Sequence, residues 1–205
     1  MSKLTADMSM SLDGFIAGAN DGPALPLGEE GERLHQWLYN LDSWRDQHGL
    51  DGGQSNPATE VVAESFDNVG AVVMGKGMFN NGEAPWGDDP PFHTPVFVLT
   101  HEARDDLAKQ GGTTFHFVTD GLESAVARAR VASGDQRISV AGGASVVQQC
   151  IAAGLLEEIQ IHLIPILLGA GTRLFEHIEG EPAGLEVLRV VESPGVTHIR
   201  YRLDY

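Results

Sequence analysis

Two stretches of the chain set glycines between an apolar run and an amphipathic one: Val72-Val73-Met74-Gly75-Lys76-Gly77 and Val140-Ala141-Gly142-Gly143-Ala144-Ser145. The apolar runs read as buried strands and the amphipathic runs as helices. The first turn of a helix offers unpaired N–H groups at the positive end of its dipole, and glycine removes the side chain that would hold a ligand off. Each junction is therefore a candidate anion site, and two together could grip a diphosphate. The alternative is that glycine only makes a tight strand-to-helix turn. Lys76 bears on the choice, because a cation in a first helical turn opposes the dipole. It is one of only 13 Lys and Arg residues. Its position points to a nearby anion, unless it is simply a solvated surface lysine.

Other site chemistries find little support. Gly70 to Lys76 reads GAVVMGK and imitates P-loop spacing, but position 77 is Gly, so no metal-binding hydroxyl follows, and AVVM is strand rather than loop. Gly169-Ala170-Gly171 resembles the start of a dinucleotide fingerprint, yet position 174 is Leu and no strand–helix context surrounds it. The eight histidines show no metal-ligand spacing. His162 and His198 fall on expected strands and can meet there, as a hydrogen-bonded pair or as ligands. No GxSxG elbow occurs, and Ser145 sits where serine is common for helical reasons.

The elements that must position these residues follow from periodicity and punctuation. A strand is expected over Leu4 to Ser11, turned by Asp13-Gly14, and a helix over Glu29 to Leu41 with Leu34, Trp37, Leu38 and Leu41 on one face. Asn56-Pro57 starts a further helix. Strands are expected at Ala71–Met74, Pro95–Leu99, Thr114–Val118, Ile138–Ala141 and Glu158–Leu168. Asp120 with Glu123 reads as a capping box for a helix carrying Leu122, Ala125, Val126 and Ala129. Val146, Val147, Cys150 and Ile151 mark another helix, stopped by Gly154. Leu185–Val191 and Val196–Leu203 close the chain as an antiparallel pair around Ser193-Pro194-Gly195. Strands alternating with helices argue for an α/β layer with a mostly parallel sheet. No stretch reads as a linker, so residues 1–205 are expected to form a single domain.

Composition bounds the partners. With 29 Asp and Glu, the formal charge is −16, which argues against nucleic acid or an anionic membrane as a partner. Apolar residues make up 42% of the chain, enough for a core. The 25 glycines exceed the average usage of about 7%. One cysteine, Cys150, cannot form an internal disulfide, and no signal-like or membrane-length apolar run occurs. A cytoplasmic protein is expected.

Five segments, in order and spacing, carry a family resemblance: Ser11-Leu12-Asp13-Gly14-Phe15-Ile16-Ala17, Val73-Met74-Gly75-Lys76-Gly77-Met78-Phe79, Pro95-Val96-Phe97-Val98-Leu99-Thr100-His101, Val140-Ala141-Gly142-Gly143-Ala144-Ser145-Val146, and Pro165 through Phe175. Together they resemble the dihydrofolate reductase-like superfamily, in the branch containing the reductase domain of the bifunctional riboflavin-biosynthesis deaminase–reductase. The zinc signature of the deaminase half, HxE with PCxxC, is absent from these residues.

The resemblance implies a three-layer αβα sandwich with a central mixed, mostly parallel sheet. It also implies bound NADPH, hydride transfer to a small pterin- or pyrimidine-like heterocycle, and a homodimer. Carried over by motif, the cofactor residues are Ile16, Ala17, Gly75, Lys76, Gly77, Met78, Thr100, His101, Gly142, Gly143, Ala144, Ser145 and Val146. Lys76, Thr100 and His101 fall at the 2′-phosphate. Lysine lacks arginine's bidentate fork, which softens the expected preference for NADPH over NADH. Phe15, Leu168 and Gly169 fall at the substrate, and Asp13 is the candidate proton donor, although Asp-Gly is also a common tight-turn pair. Riboflavin-pathway members carry a lysine four residues before the serine of the Ser-Leu-Asp-Gly turn. Here that position is Asp7, which argues against a phosphorylated substrate. Glu83 to Gly87 is a candidate lid. A non-catalytic nucleotide-binding protein that keeps the fold is the competing expectation.

Overall fold

The alternating N-terminal run forms β1 (Leu4–Ser11), with Leu4, Ala6 and Met8 on one face and Asp7 and Ser9 on the other. This computed structural model describes residues 2–178 and 183–205. After the turn at Gly14 (φ 88°) the chain forms β2 (Phe15–Ala17), then short helices α1 (Gln36–Tyr39) and α2 (Asp42–Gln47). Helix α3 (Pro57–Phe66) starts as expected from Asn56-Pro57. The Asn56 side chain accepts from Ala58 N–H at 2.8 Å, and Thr59 Oγ1 accepts from Asn56 N–H at 3.1 Å.

Next come β3 (Val69–Gly75), α4 (Lys76–Trp86), β4 (Pro95–Leu99), β5 (Leu107–Ala108) and β6 (Thr114–Val118). They are followed by α5 (Leu122–Ser133), β7 (Arg137–Gly142), α6 (Ala144–Ala152) and β8 (Glu158–Ile164). The remaining strands are β9 (Thr172–Arg173), β10 (Gly184–Ser193) and β11 (Val196–Asp204).

Nine strands share one sheet in the order β10-β11-β8-β1-β7-β3-β4-β6-β5, while β2 and β9 pair separately. The run from β8 to β6 is parallel; β10, β11 and β5 join it antiparallel. Helices α5 and α6 cover one face through Ala125, Val126, Val146, Val147 and Cys150. On the other face α4 packs through Phe79, and Ala58 and Val62 of α3 form a separate small cluster with Leu41, Trp37, Leu38 and Trp44. The result is a three-layer αβα sandwich. No helix of the described residues is long and apolar enough to cross a membrane.

Four sequence expectations are corrected. The helix over Glu29–Leu41 is broken: Gly28 and Glu30 adopt positive φ (69° and 59°), and a 3₁₀ turn at Gly31–Leu34 precedes α1. The inward residues of that helix still find the core, with Leu34 and Leu41 buried. Asp120 does not cap α5; Gly121 holds that position, and Asp120 accepts from Ser124 Oγ at 2.8 Å and from Arg128. β8 stops at Ile164, because Pro165 has no N–H and the N–H groups of Leu168 and Gly169 donate to Asp13. Glu83 to Trp86 belong to the last turn of α4 and form no separate lid.

Candidate active site

Both glycine junctions lie at the carboxyl ends of adjacent central strands. β3 and β7 are hydrogen-bonded neighbours with Met74 opposite Gly142, so the first turns of α4 and α6 emerge side by side. Neither helix has a side-chain cap: Gly75 and Gly143 occupy the N-cap positions. Their first N–H groups are thus left for water or a ligand. The Gly142–Gly143 peptide is cis. A Cβ built on Gly77 or Gly143 would meet no atom within 4 Å, so both backbones face open space.

That space is a cavity of about 730 Å3. Ile16 and Ala17 of β2 line it, with Gly75 to Met78 at the first junction and Gly142 to Val146 at the second. Thr100 and His101, beyond β4, complete the set, so all thirteen residues expected at a cofactor face one space. Trp86 forms part of the wall and stands edge-on to Phe92 at 5.0 Å. Its ring lies so close to Gly82 that a Cβ there would approach within 2.2 Å. Asn81 of α4 donates to Asp21 at 3.2 Å and to the Pro26 carbonyl at 3.3 Å, tying the segment after β2 over the cavity.

Lys76 lies in the first turn of α4, and its ammonium pairs with Glu102 at 2.6 Å. This contact holds the Glu102 carboxyl below its ordinary range. Glu102 also donates its backbone N–H to Thr100 Oγ1 at 3.1 Å.

The inner end of the cavity carries groups that the sequence reading did not place there: Asp7 and Ser9 of β1, and His35. Burial pushes the His35 imidazole down, and among the described residues its Nδ1 is buried without a hydrogen-bond partner. Behind them, strand register sets Ser9 beside His162 and His162 opposite His198. The two histidines meet as a hydrogen-bonded pair, Nδ1 to Nδ1 at 2.7 Å, with Trp37 packed 5.0 Å from each ring. Burial lowers His162 to about 3 and His198 to about 4, so both are neutral near pH 7. Asp7 goes the other way: burial raises its carboxyl, against the lowering effect of Arg137.

Asp13, Phe15, Leu168 and Gly169 do not line this cavity. Asp13 is a clamp. It accepts from Ser11 Oγ at 2.6 Å, from Leu168 N–H at 3.1 Å and from Gly169 N–H at 2.7 Å. These bonds, Ser11's foremost, lower its carboxyl to about 2. A carboxyl lowered this far is ionised at neutral pH, and in this turn it accepts three hydrogen bonds instead of presenting the proton expected of it. Phe15 is buried, with the Arg173 guanidinium 4.3 Å from its ring centre. The signal for Asp7 was present in sequence as a departure from the family's lysine, but its cavity position depends on strand register.

A profile of the RibD C-terminal domain matches residues 2–193. Among solved structures, the chain is similar to a Shewanella sp. PV-4 protein described as a riboflavin biosynthesis protein (20% identity, TM-score 0.69, 99% of both chains covered). It is also similar to the Thermotoga maritima diaminohydroxyphosphoribosylaminopyrimidine deaminase/5-amino-6-(5-phosphoribosylamino)uracil reductase, at 13% identity and TM-score 0.62. That match covers 98% of this chain but only 56% of the Thermotoga chain. Enterococcus faecalis dihydrofolate reductase, solved with NADP(H), matches at 14% identity and TM-score 0.54, covering 99% and 97% of the two chains. These likenesses identify the fold as dihydrofolate reductase-like. No curated protein matches the sequence.

Proposed function

Because the chain belongs to the RibD C-terminal domain family of oxidoreductases, we propose that it is an NADPH-dependent reductase of a small, uncharged pterin- or pyrimidine-like heterocycle. The observation that carries this reading is the pair of uncapped helix starts, side by side on β3 and β7, opening into one cavity with Lys76 between cavity and solvent. Backbone N–H groups of α4 and α6 would hold the diphosphate, and glycines 77 and 143 let it approach. Lys76, Thr100 and His101 would meet the 2′-phosphate. Bound there, NADPH supplies a hydride, and the protein's part is to orient the acceptor and exclude water.

The inner end favours a substrate without phosphate. Asp7, Ser9 and His35 line it, and no Lys or Arg other than Lys76 lines the cavity among the described residues. Asp7 and Ser9 can hydrogen-bond ring nitrogens or a carbonyl, while Met8, Leu27 and Ile16 supply apolar wall. Asp13 is a positioning residue in this reading, fixing the turn after β1 to the Pro165–Gly171 segment.

Residues 1–205 are taken as one domain, on the support that strands from Leu4 to Asp204 share a sheet. The same reading makes the protein a cytoplasmic homodimer. The support for a dimer is edge strand β10, where Leu185, Val187, Leu188 and Val190 are 42–58% exposed. Light scattering on the eluting protein tests it, and a monomer at micromolar concentration refutes it.

Titration with NADPH and NADH, followed by NADPH oxidation across a panel of pterins, pyrimidines and cyclic imines, tests the reductase reading. Binding with turnover on one of them is the expected result. Tight NADPH binding with no turnover on any would instead favour a nucleotide-binding protein that has lost the chemistry.

A further inference from the structure

The dinucleotide cavity is not alone in reaching Asp7. A second cavity of about 260 Å3 lies between α3 and strands β1, β7, β8 and β11, rimmed by the exposed Asp67 and Asn68. Its walls are polar: Glu64, Ser65, Arg137, Gln160 and Arg200. The Gln160 Nε2 is buried without a protein partner among the described residues, so the space has both the room and the polar lining that internal water needs. Among the described residues, Asp7 alone lines both cavities. Its side chain, 20% exposed, forms the partition between them.

The groups around Asp7 leave its charge poorly compensated. Ser65 Oγ of α3 donates to Oδ1 at 3.0 Å. The Arg137 guanidinium of β7 stands 4.0 Å away, and its fork is committed elsewhere, to the carbonyls of Glu64, Ser65 and Asp67 and to Thr5 Oγ1. His162 Nε2 of β8 is 3.8 Å away, on a ring that is neutral and bound to His198. Arg200 of β11 is paired with Glu64 at 3.1 Å, and Glu158 with Lys3 at 2.5 Å. Burial also disfavours the charged form of His35, which lines the first cavity. A carboxyl largely withdrawn from bulk water, whose nearest cation stands 4.0 Å away and is bound elsewhere, favours its protonated form.

We propose that Asp7 is the acid that donates the proton accompanying hydride transfer, and that it is reprotonated from solvent through the second cavity. This rests on the reductase reading above. The hydride and its electron pair go to the carbon of a C=N or C=O bond in the substrate. As that π bond breaks, its nitrogen or oxygen takes the proton from the Asp7 O–H, leaving a carboxylate. The double bond gains two electrons and the nicotinamide loses two. A proton from water in the second cavity then restores the acid. The two reagents thus reach the substrate from different sides of one strand, and the hydride side can stay closed to bulk water.

The test combines infrared difference spectra of the nucleotide-free protein with single-turnover kinetics. At pH 7, wild type minus Asp7→Asn is expected to show a protonated carboxyl stretch. Asp7→Asn should bind NADPH with unchanged Kd yet transfer hydride at least about 100-fold more slowly, the usual worth of general acid catalysis. Gln160→Met, which replaces the unpartnered amide of the second cavity with an apolar side chain of similar size, should leave the first turnover intact and slow proton uptake from solvent. An ionised Asp7 at pH 7, or an Asp7→Asn enzyme with wild-type rate and pH profile, overturns the assignment while the reductase reading stands. Wild type that neither binds nor oxidises NADPH removes the reductase reading and this proposal with it.

Discussion

The Lys76 ammonium and the Glu102 carboxylate lie 2.6 Å apart, one in the first turn of α4 and the other just beyond β4. Any 2′-phosphate that used Lys76 would have to compete with this carboxylate and bear its repulsion. Glu102→Gln is therefore expected to tighten NADPH roughly two- to fivefold, the modest scale of exposed ion pairs, and to leave NADH unchanged. Lys76→Ala should weaken NADPH selectively. Fluorescence titration with both nucleotides checks this, and parallel shifts for the two would remove Lys76 from the 2′ position.

Gly77 separates the two uses of a junction glycine. Its φ is not positive and a Cβ there meets nothing, so Gly77→Ala costs the fold no strain. In the exposed first turn of α4 it should add about 0.5 kcal/mol of stability by helix propensity. In the cavity the same methyl blocks close approach of a phosphate, and nucleotide Kd should rise about tenfold or more. Thermal melts and titration on one sample decide it: a more stable variant with unchanged Kd means the glycine serves only the turn.

Asp13 predicts an acid-dependent contribution to stability. Its folded carboxyl titrates near 2, below the ordinary 3.8, so its stabilising effect is complete above about pH 4 and is lost as pH falls towards 2. Asp13→Ala should melt below wild type at pH 6, with the gap closing between pH 4 and 2. Asp13→Asn should leave the pH profile of kcat unaltered. A gap that stays constant across that range would mean the clamp's contribution does not depend on ionisation of Asp13.

The buried histidine pair acts in a higher window. With His162 near 3 and His198 near 4 when folded, against 6.5 when free, the unfolded chain takes up protons first as pH falls. Stability contributed by the pair is whole above about pH 6.5 and declines towards pH 4. The double substitution His162→Leu with His198→Leu should flatten the slope of melting temperature against pH between 6.5 and 4. An unchanged slope would assign that acid sensitivity to other groups.

Where local chemistry decides a feature, the sequence predicts it well. Pro95–Leu99 and Thr114–Val118 are strands at the expected residues because short β-branched and aromatic runs bounded by breakers have few alternatives. Of the thirteen positions that the resemblance implies for a cofactor, the nine at the two strand–glycine–helix junctions share one cavity because β3 and β7 are neighbours. What was not legible depends on distant partners. The stretch over Glu29–Leu41 loses its helix to backbone contacts between Gly18-Ala19 and Gly28-Glu29 that leave no room for a Cβ at Gly18 or Gly28. Asp13 reads as a plausible acid until Leu168 and Gly169, far along the chain, are seen to claim both its oxygens. Asp7 gains its meaning only from the register that sets it beside Gln160 and within reach of His162.

β1 runs through the middle of the sheet and its residues alternate in role: Leu4 and Ala6 are buried in the core, Met8 reaches from the core to the cavity wall, and Asp7 and Ser9 look into the cavity. Stability and selectivity are thereby interleaved one residue apart on a single strand. A substitution at Asp7 or Ser9 therefore alters the cavity wall without removing a core side chain, whereas one at Leu4 or Ala6 does the reverse. The same pleat that makes a one-residue slip in β1 ruinous keeps these roles on separate side chains.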